Sequence, residues 1–193
     1  MQPLTRDDIK GAAEYEQMRP EFRRKIMVTK NKRRVPCGNN ATFHFETRDT
    51  MLYQVHEMLR AERNWQSEQA IADELEAYNP LIPGQGELSA TLMFEYETAE
   101  LRDEHLAELV GIARHVWLVV GDTEPVKAQM DHAQVSETRI SSVQYVKWQL
   151  NADQAEALKA PGTVVKVRID HPSYQAESVL GEETRQELAH DAS

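Results

Sequence analysis

The chain is short of the features that most directly announce a chemistry. It holds one cysteine, Cys37, among 193 residues, so an intrachain disulfide and a cysteine-based metal cluster within one chain are both excluded. No apolar run approaches the roughly 18 residues of a membrane helix, and Met1 to Asp7 has no apolar signal-peptide core. A phosphate-binding glycine loop, a dinucleotide fingerprint, a paired-histidine zinc helix and a serine-nucleophile elbow are all missing. Positive charge is also scarce: 22 Lys and Arg stand against 32 Asp and Glu, giving a net charge of −10. Most of such a surface repels phosphates, which argues against nucleic acid or an anionic membrane as the default partner. The expectation is a cytoplasmic protein with no membrane insertion; homo-oligomerisation is left open.

What is present suits one folded unit. A composition of 40% hydrophobic and 28% charged residues, at this length, fits a single globular domain over residues 1–193. Asn79-Pro80-Leu81-Ile82-Pro83-Gly84-Gln85-Gly86 is the strongest loop signal. It divides a helical half, about 1–79, from a sheet half, about 87–193. In the first half Thr5 caps a helix starting at Arg6, a second helix begins near Pro20, and Pro36 to Asn40 reads as a turn. Thr42 to Glu46 alternates as a short strand, and Thr47 to Arg63 is the clearest helix, with Met51, Leu52, Val55, Met58 and Leu59 on one side. Ser67 caps a further helix. In the second half, strands at Leu88–Tyr96, His115–Val120, Val126–Met130, Ser142–Leu150, Val164–Ile169 and Ala176–Leu180 are joined by helices at Ala99–Ile112 and Ala152–Lys159. A last helix fits Glu182–His190. Strands that follow one another without intervening helices predict a largely antiparallel sheet. The fold class is α+β, with N-terminal helices and a short strand packed on a C-terminal sheet.

Three groups of residues are candidates for function. His44 and Glu46 share one face of their strand, while Tyr53, His56, Glu57 and Arg60 share the polar side of the next helix. Imidazole and carboxylate suit iron, manganese or zinc, so His44, Glu46, His56 and Glu57 form a candidate metal site if helix and strand face each other. Solvated faces with surface ion pairs are the competing reading. The second group is a cationic strip. Arg19 to Arg34 contains eight basic residues and one acid, Glu21, a local charge of +7 that leaves −17 for the rest. Within it Arg19, Arg23, Arg24, Lys25, Lys32, Arg33 and Arg34 are candidates for binding an acidic partner protein, a phosphorylated ligand or, less favoured, nucleic acid. The alternative is neutralisation by the chain's own acids. Third, Asp170 beside His171 is a candidate proton-transfer pair, weighed against a turn-forming role. Cys37 lies among cations that lower a thiol pKa, and Trp65 is the tryptophan expected to stay partly exposed.

Several blocks resemble the bacterial family known as domain of unknown function 3501. They are Leu4-Thr5-Arg6-Asp7-Asp8, Arg19-Pro20-Glu21-Phe22-Arg23, Lys32-Arg33-Arg34-Val35, Tyr53 through Arg63, Ala77-Tyr78-Asn79-Pro80-Leu81-Ile82-Pro83 and Asp170-His171-Pro172-Ser173-Tyr174. They run from the first residues to about Ala176. The resemblance implies no assigned activity and no catalytic residues. It does imply genes near those of rubrerythrin-like iron proteins and an iron–sulfur oxidoreductase. From this comes the leading expectation: an accessory or interaction protein of a redox or iron-handling system, with a redox or iron–sulfur protein as partner.

Overall fold

The structure, a computed structural model, describes residues 1–130 and 138–192. Its elements are α1 (Ala12–Lys32), β1 (Arg34–Cys37), β2 (Ala41–Phe45), α2 (Arg48–Glu62), α3 (Glu68–Tyr78), β3 (Glu87–Phe94), α4 (Ala99–Glu108), β4 (Val116–Val120), β5 (Val126–Lys127), β6 (Gln129–Met130), β7 (Val143–Gln149), α5 (Ala152–Lys159), β8 (Val165–His171), β9 (Tyr174–Val179) and α6 (Glu182–Asp191). The strands form two antiparallel sheets, ordered β1-β2-β3-β7-β6 and β5-β4-β8-β9. The class is therefore α+β as the strand spacing predicts, but with two sheets where one is expected. Among the described residues no helix is long and apolar enough to cross a membrane.

Alternation decides which faces meet. Phe43 and Phe45 of β2, Leu88 to Phe94 at every second position of β3, and Val146 and Trp148 of β7 are buried together with Leu118, Val167 and Ile169 of the second sheet. Trp148 sits at the centre, its ring 5.9 Å from Phe43 and 5.7 Å from Phe45. A period of two puts every other side chain of a strand on the opposite face. That opposite face of the five-stranded sheet carries His44, Thr91 and Tyr145, which are register neighbours across β2, β3 and β7. A separate apolar cluster joins Leu4 and Ile9 to Met51, Val55 and Leu59 of α2, with Ile71 and Leu81. Sheet pairing between β2 and β3 spans the Pro/Gly segment 79–86.

Three local readings differ from the observed chain. The helix expected to start at Pro20 starts at Ala12 and runs through the proline. Proline at an interior position forfeits a hydrogen bond, yet contacts on both sides hold the helix: Tyr15 is wholly buried and Phe22 meets Tyr53 edge-on at 5.8 Å. The turn expected over Pro36 to Asn40 is confined to Gly38–Asn40, because Pro36 and Cys37 end β1, an edge strand where a missing backbone donor is tolerated. The first helix is only a 3-10 turn, Arg6–Asp8, in which Asp8 accepts from the Thr5 backbone N–H at 2.7 Å. Elsewhere the caps fall where the side chains indicate. Thr47 and Ser67 accept from Thr50 and Ala70 backbone N–H groups, and Arg63 ends α2 in the left-handed region at φ 57°.

Candidate functional site

The helix that carries most of the cations turns out to be a docking partner for α2. The polar side of α2 faces α1, not the strand. Arg19 forks onto Glu57 with two contacts of 2.8 Å, and the Tyr15 hydroxyl donates to the same carboxylate at 2.7 Å. Arg60 pairs with Glu16 at 2.6 Å. Tyr53 is buried between the helices, with the Lys30 ammonium 5.8 Å from its ring centre. His56 is 1% exposed and stacks on Tyr15 with centroids 4.5 Å apart. Its Nδ1 contacts the Leu52 carbonyl at 2.8 Å while Nε2 accepts from the Lys10 backbone N–H at 3.0 Å. Both ring nitrogens are thus engaged in the neutral tautomer that donates from Nδ1, and burial pushes the imidazole pKa below its ordinary value.

The four residues of the candidate metal site accordingly divide into two separate pairs. His44 and Glu46 line one cavity of the sheet, whereas His56 and Glu57 are locked into the α1–α2 interface. Among the described residues no three His, Cys, Asp or Glu side chains are grouped to hold a metal ion. The physical reason is α1: its aromatic and basic side chains claim the polar stripe of α2 before that stripe can reach the strand. Glu46 itself is buried and accepts from the Thr50 hydroxyl at 2.6 Å and the Thr91 hydroxyl at 2.7 Å.

The cationic strip is largely neutralised within the chain. Besides Arg19, Lys25 pairs with Glu21 at 2.8 Å, and Lys32 with Glu183 at 3.0 Å. Arg33 is buried and spans Asp191 and Glu187, at 3.2 Å and 3.0 Å for its NH2 contacts. Among the described residues no ion pair holds Arg23, Arg24, Lys30 or Arg34. Arg23 and Arg24 are exposed on α1, Arg23 with a side-chain hydrogen bond to Tyr53. Lys30 and Arg34 line the same cavity as His44 and Glu46.

That cavity, about 470 Å³, lies between the five-stranded sheet and helices α1 and α2. Its floor is one register row: Arg34 opposite His44, His44 opposite Thr91, Thr91 opposite Tyr145. Its walls include Met27, Lys30 and Asn31 of α1, at helical spacing i, i+3, i+4, and Met51 and Gln54 of α2. Burial pushes the His44 pKa down, and Arg34 and Lys30 push it further against the opposing pull of Glu95. His44 is therefore a neutral donor or acceptor near pH 7, flanked by two permanent cations. Lys30, Thr91 and Tyr145 are absent from the candidates above. The alternation of Ser89-Leu92 and Gln144-Lys147 marks their face, but only the strand register shows that the face adjoins Arg34.

The remaining candidates lie outside this cavity, and of them Trp65 is partly exposed as expected. Asp170 does not touch His171; it faces His115 Nδ1 at 3.0 Å. His171 is buried, takes the Ser173 backbone N–H on Nδ1 at 3.2 Å and meets the Val110 carbonyl through Nε2 at 3.2 Å. Adjacent strand residues point to opposite sides, so the pair is split by the pleat. Cys37 is wholly buried in the sheet core, and burial pushes its thiol up to about 11, the reverse of an activated thiolate. Arg34 is on the other face of the same strand. Trp65 is half-buried, donates to the Lys10 carbonyl at 2.8 Å and packs against Tyr15.

The family model described as protein of unknown function (DUF3501) matches residues 3–192. The chain belongs to this family. A solved structure with the same outline is that of a novel protein of unknown function from Burkholderia pseudomallei K96243, 34% identical, with a TM-score of 0.92 and 100% of each chain covered. No curated protein matches the chain. For this family member the cavity is thus argued from its own chemistry.

The α1–α2 lock has a pH signature. Chiefly through the Arg19 hydrogen bonds, and with help from Tyr15, the Glu57 carboxyl is held at about 2, below its ordinary 4.5. A carboxyl depressed on folding contributes stability that is complete above its unfolded value and fades as pH falls toward the folded one. Glu57→Gln is therefore expected to cost about 1–3 kcal/mol at pH 7. Denaturant unfolding should show the gap to wild type closing between pH 4.5 and about 2. A gap independent of pH over that range would contradict the assignment.

Proposed function

We propose that the protein is a binding protein, and that the cavity walled by Lys30, Arg34, His44 and Tyr145 takes a small organic monoanion. The observation that carries this reading is selective neutralisation. Arg19, Lys25, Lys32 and Arg33 are spent on the chain's own acids, while Lys30 and Arg34 converge on a concave site. Guanidinium forks suit carboxylates, and an ammonium nearby adds charge without fixing geometry. Glu46 lies in the same lining, but its oxygens already receive two hydroxyls. Two positive charges against one negative leave the site with one charge to balance, which matches a carboxylate better than a phosphate dianion. Isothermal titration with butyrate should show one saturable site, weakened at least tenfold in Lys30→Glu/Arg34→Glu. Equal binding by wild type and the double variant, or none by the wild type, would remove the reading.

A second reading rests on the other cations that no ion pair holds, Arg23 and Arg24. Pro20, Arg24 and Val28 recur every fourth residue on the outer side of α1, beside Arg23, and Val28 is 54% exposed. A cationic rim around an exposed apolar residue suits an acidic protein surface. The resemblance supplies the partner class: an accessory role in a cytoplasmic redox or iron-handling system, with an iron–sulfur oxidoreductase docked on α1. Surface plasmon resonance against that oxidoreductase should give binding that falls with salt, and charge reversal at Arg23 and Arg24 should lower affinity about tenfold. Absence of binding at low ionic strength would dismiss this surface.

A further inference from the structure

A second hollow of about 400 Å³ lies beside the cavity and shares two of its walls, Leu81 and Tyr145. Its other lining comes from Glu76, Ala77 and Pro80 on one side, all three exposed, and Gln129, Met130 and Lys147 of the sheet on the other. The register places Gln129 and Lys147 on the same sheet face as the cavity, while Met130, opposite core-facing Val146, reaches the hollow from the sheet edge. Tyr145 and Lys147 are two apart on β7, and Gln129 pairs with Lys147 across to β6. The two hollows therefore adjoin on one path across the sheet, from Arg34 on β1 to Gln129 on β6, with Leu81 and Tyr145 between them. Four inter-strand steps make that path about 19 Å long.

The ends of the groove differ in chemistry. The β1 end carries the unpaired charges of Lys30 and Arg34 with neutral His44. At the β6 end the one cation, Lys147, is already bonded to Glu87 at 2.7 Å, so its charge is spent. The apolar surfaces there are Ala77, Pro80, Leu81 and Met130, beside the exposed Glu76, with the ring of Tyr145 between the two ends. A charged head at one end and, beyond Tyr145, a hollow with apolar walls define one kind of occupant.

Building on the carboxylate site above, we infer that the ligand is an amphipathic monocarboxylate, its head between Lys30 and Arg34 and its unbranched apolar chain lying over Tyr145 and Leu81 into the second hollow. Methionines suit such a chain because their unbranched thioethers adapt to variable apolar shapes; Met27, Met51 and Met93 line the head cavity and Met130 the tail hollow. The groove needs no bound metal and no covalent step for this role.

Titration of the full chain with straight-chain carboxylates from butyrate to decanoate tests it, with decanol as the uncharged control. Burial of each methylene is expected to raise affinity about two- to fourfold, and decanoate to bind well above decanol. Ala77→Glu, at an exposed position on α3, should flatten the dependence on chain length by placing a second carboxylate, beside Glu76, at the tail hollow. Equal affinity for butyrate and decanoate would overturn the chain assignment while leaving the carboxylate site standing. Equal affinity for decanol and decanoate would overturn the charged head, and with it the reading of the cavity as an anion site. Binding of none of them would overturn both. A steep chain-length dependence unchanged in Ala77→Glu would place the tail elsewhere and contradict the groove.

Discussion

Arg33 is the residue on which the arrangement of charge depends. It closes α1, is almost wholly buried, and reaches across the molecule to Asp191 and Glu187 of α6, which lie at the far end of the sequence. A buried guanidinium is tolerated only with partners of opposite sign and good geometry, and losing one partner of such a pair typically costs about 3–5 kcal/mol. The clamp therefore fixes the end of α1 against α6 and sets where β1 begins. Lys32 follows the same route to Glu183, and Thr184 donates its hydroxyl to the Lys32 carbonyl at 2.6 Å. With that junction held, β1 can only run antiparallel to β2 with Arg34 opposite His44.

From this follows the division of the cationic strip. The same sixteen-residue stretch serves three surroundings: inward to α2 through Arg19, inward to α6 through Lys32 and Arg33, and into the sheet cavity through Lys30 and Arg34. An overall charge of −10 is consistent with a cationic site this small, since of the acids only Glu46 lines the cavity, and it spends its lone pairs on Thr50 and Thr91, while Glu76 lines the second hollow. The helix pair α1–α2 then roofs the polar face of the five-stranded sheet, while the other face is filled by Trp148 and the second sheet. The fold thus has one dry face and one lined face, and the groove occupies the latter.

Much of this architecture is legible in the residues. The alternation at Thr42–Glu46, the cap at Ser67 and the period of α2 define their elements because each is a local property. Pro20 and Pro36 mislead for the same reason: a proline reports its own backbone preference, whereas Tyr15 and Phe22 on α1 and the edge position of β1 override it. The candidate site divides likewise. His44 and Glu46 share a lining because strand alternation requires it. His56 and Glu57 do not join them, because which element claims the polar stripe of α2 is settled by α1, some forty residues earlier. Lys30 and Tyr145 become neighbours of Arg34 only through the register, and no local spacing announces that. Cys37 sits among basic residues in sequence but is on the opposite face of its strand from Arg34.

The central claim is that Lys30 and Arg34 form an unspent positive pair around His44 in the cavity. The most direct measurement is the titration of the His44 ring by NMR, with and without saturating decanoate. Without ligand its pKa should lie below the usual 6.5, and it should rise when the carboxylate offsets the two cations. A His44 that titrates at its ordinary value and does not respond to the carboxylate would contradict the account.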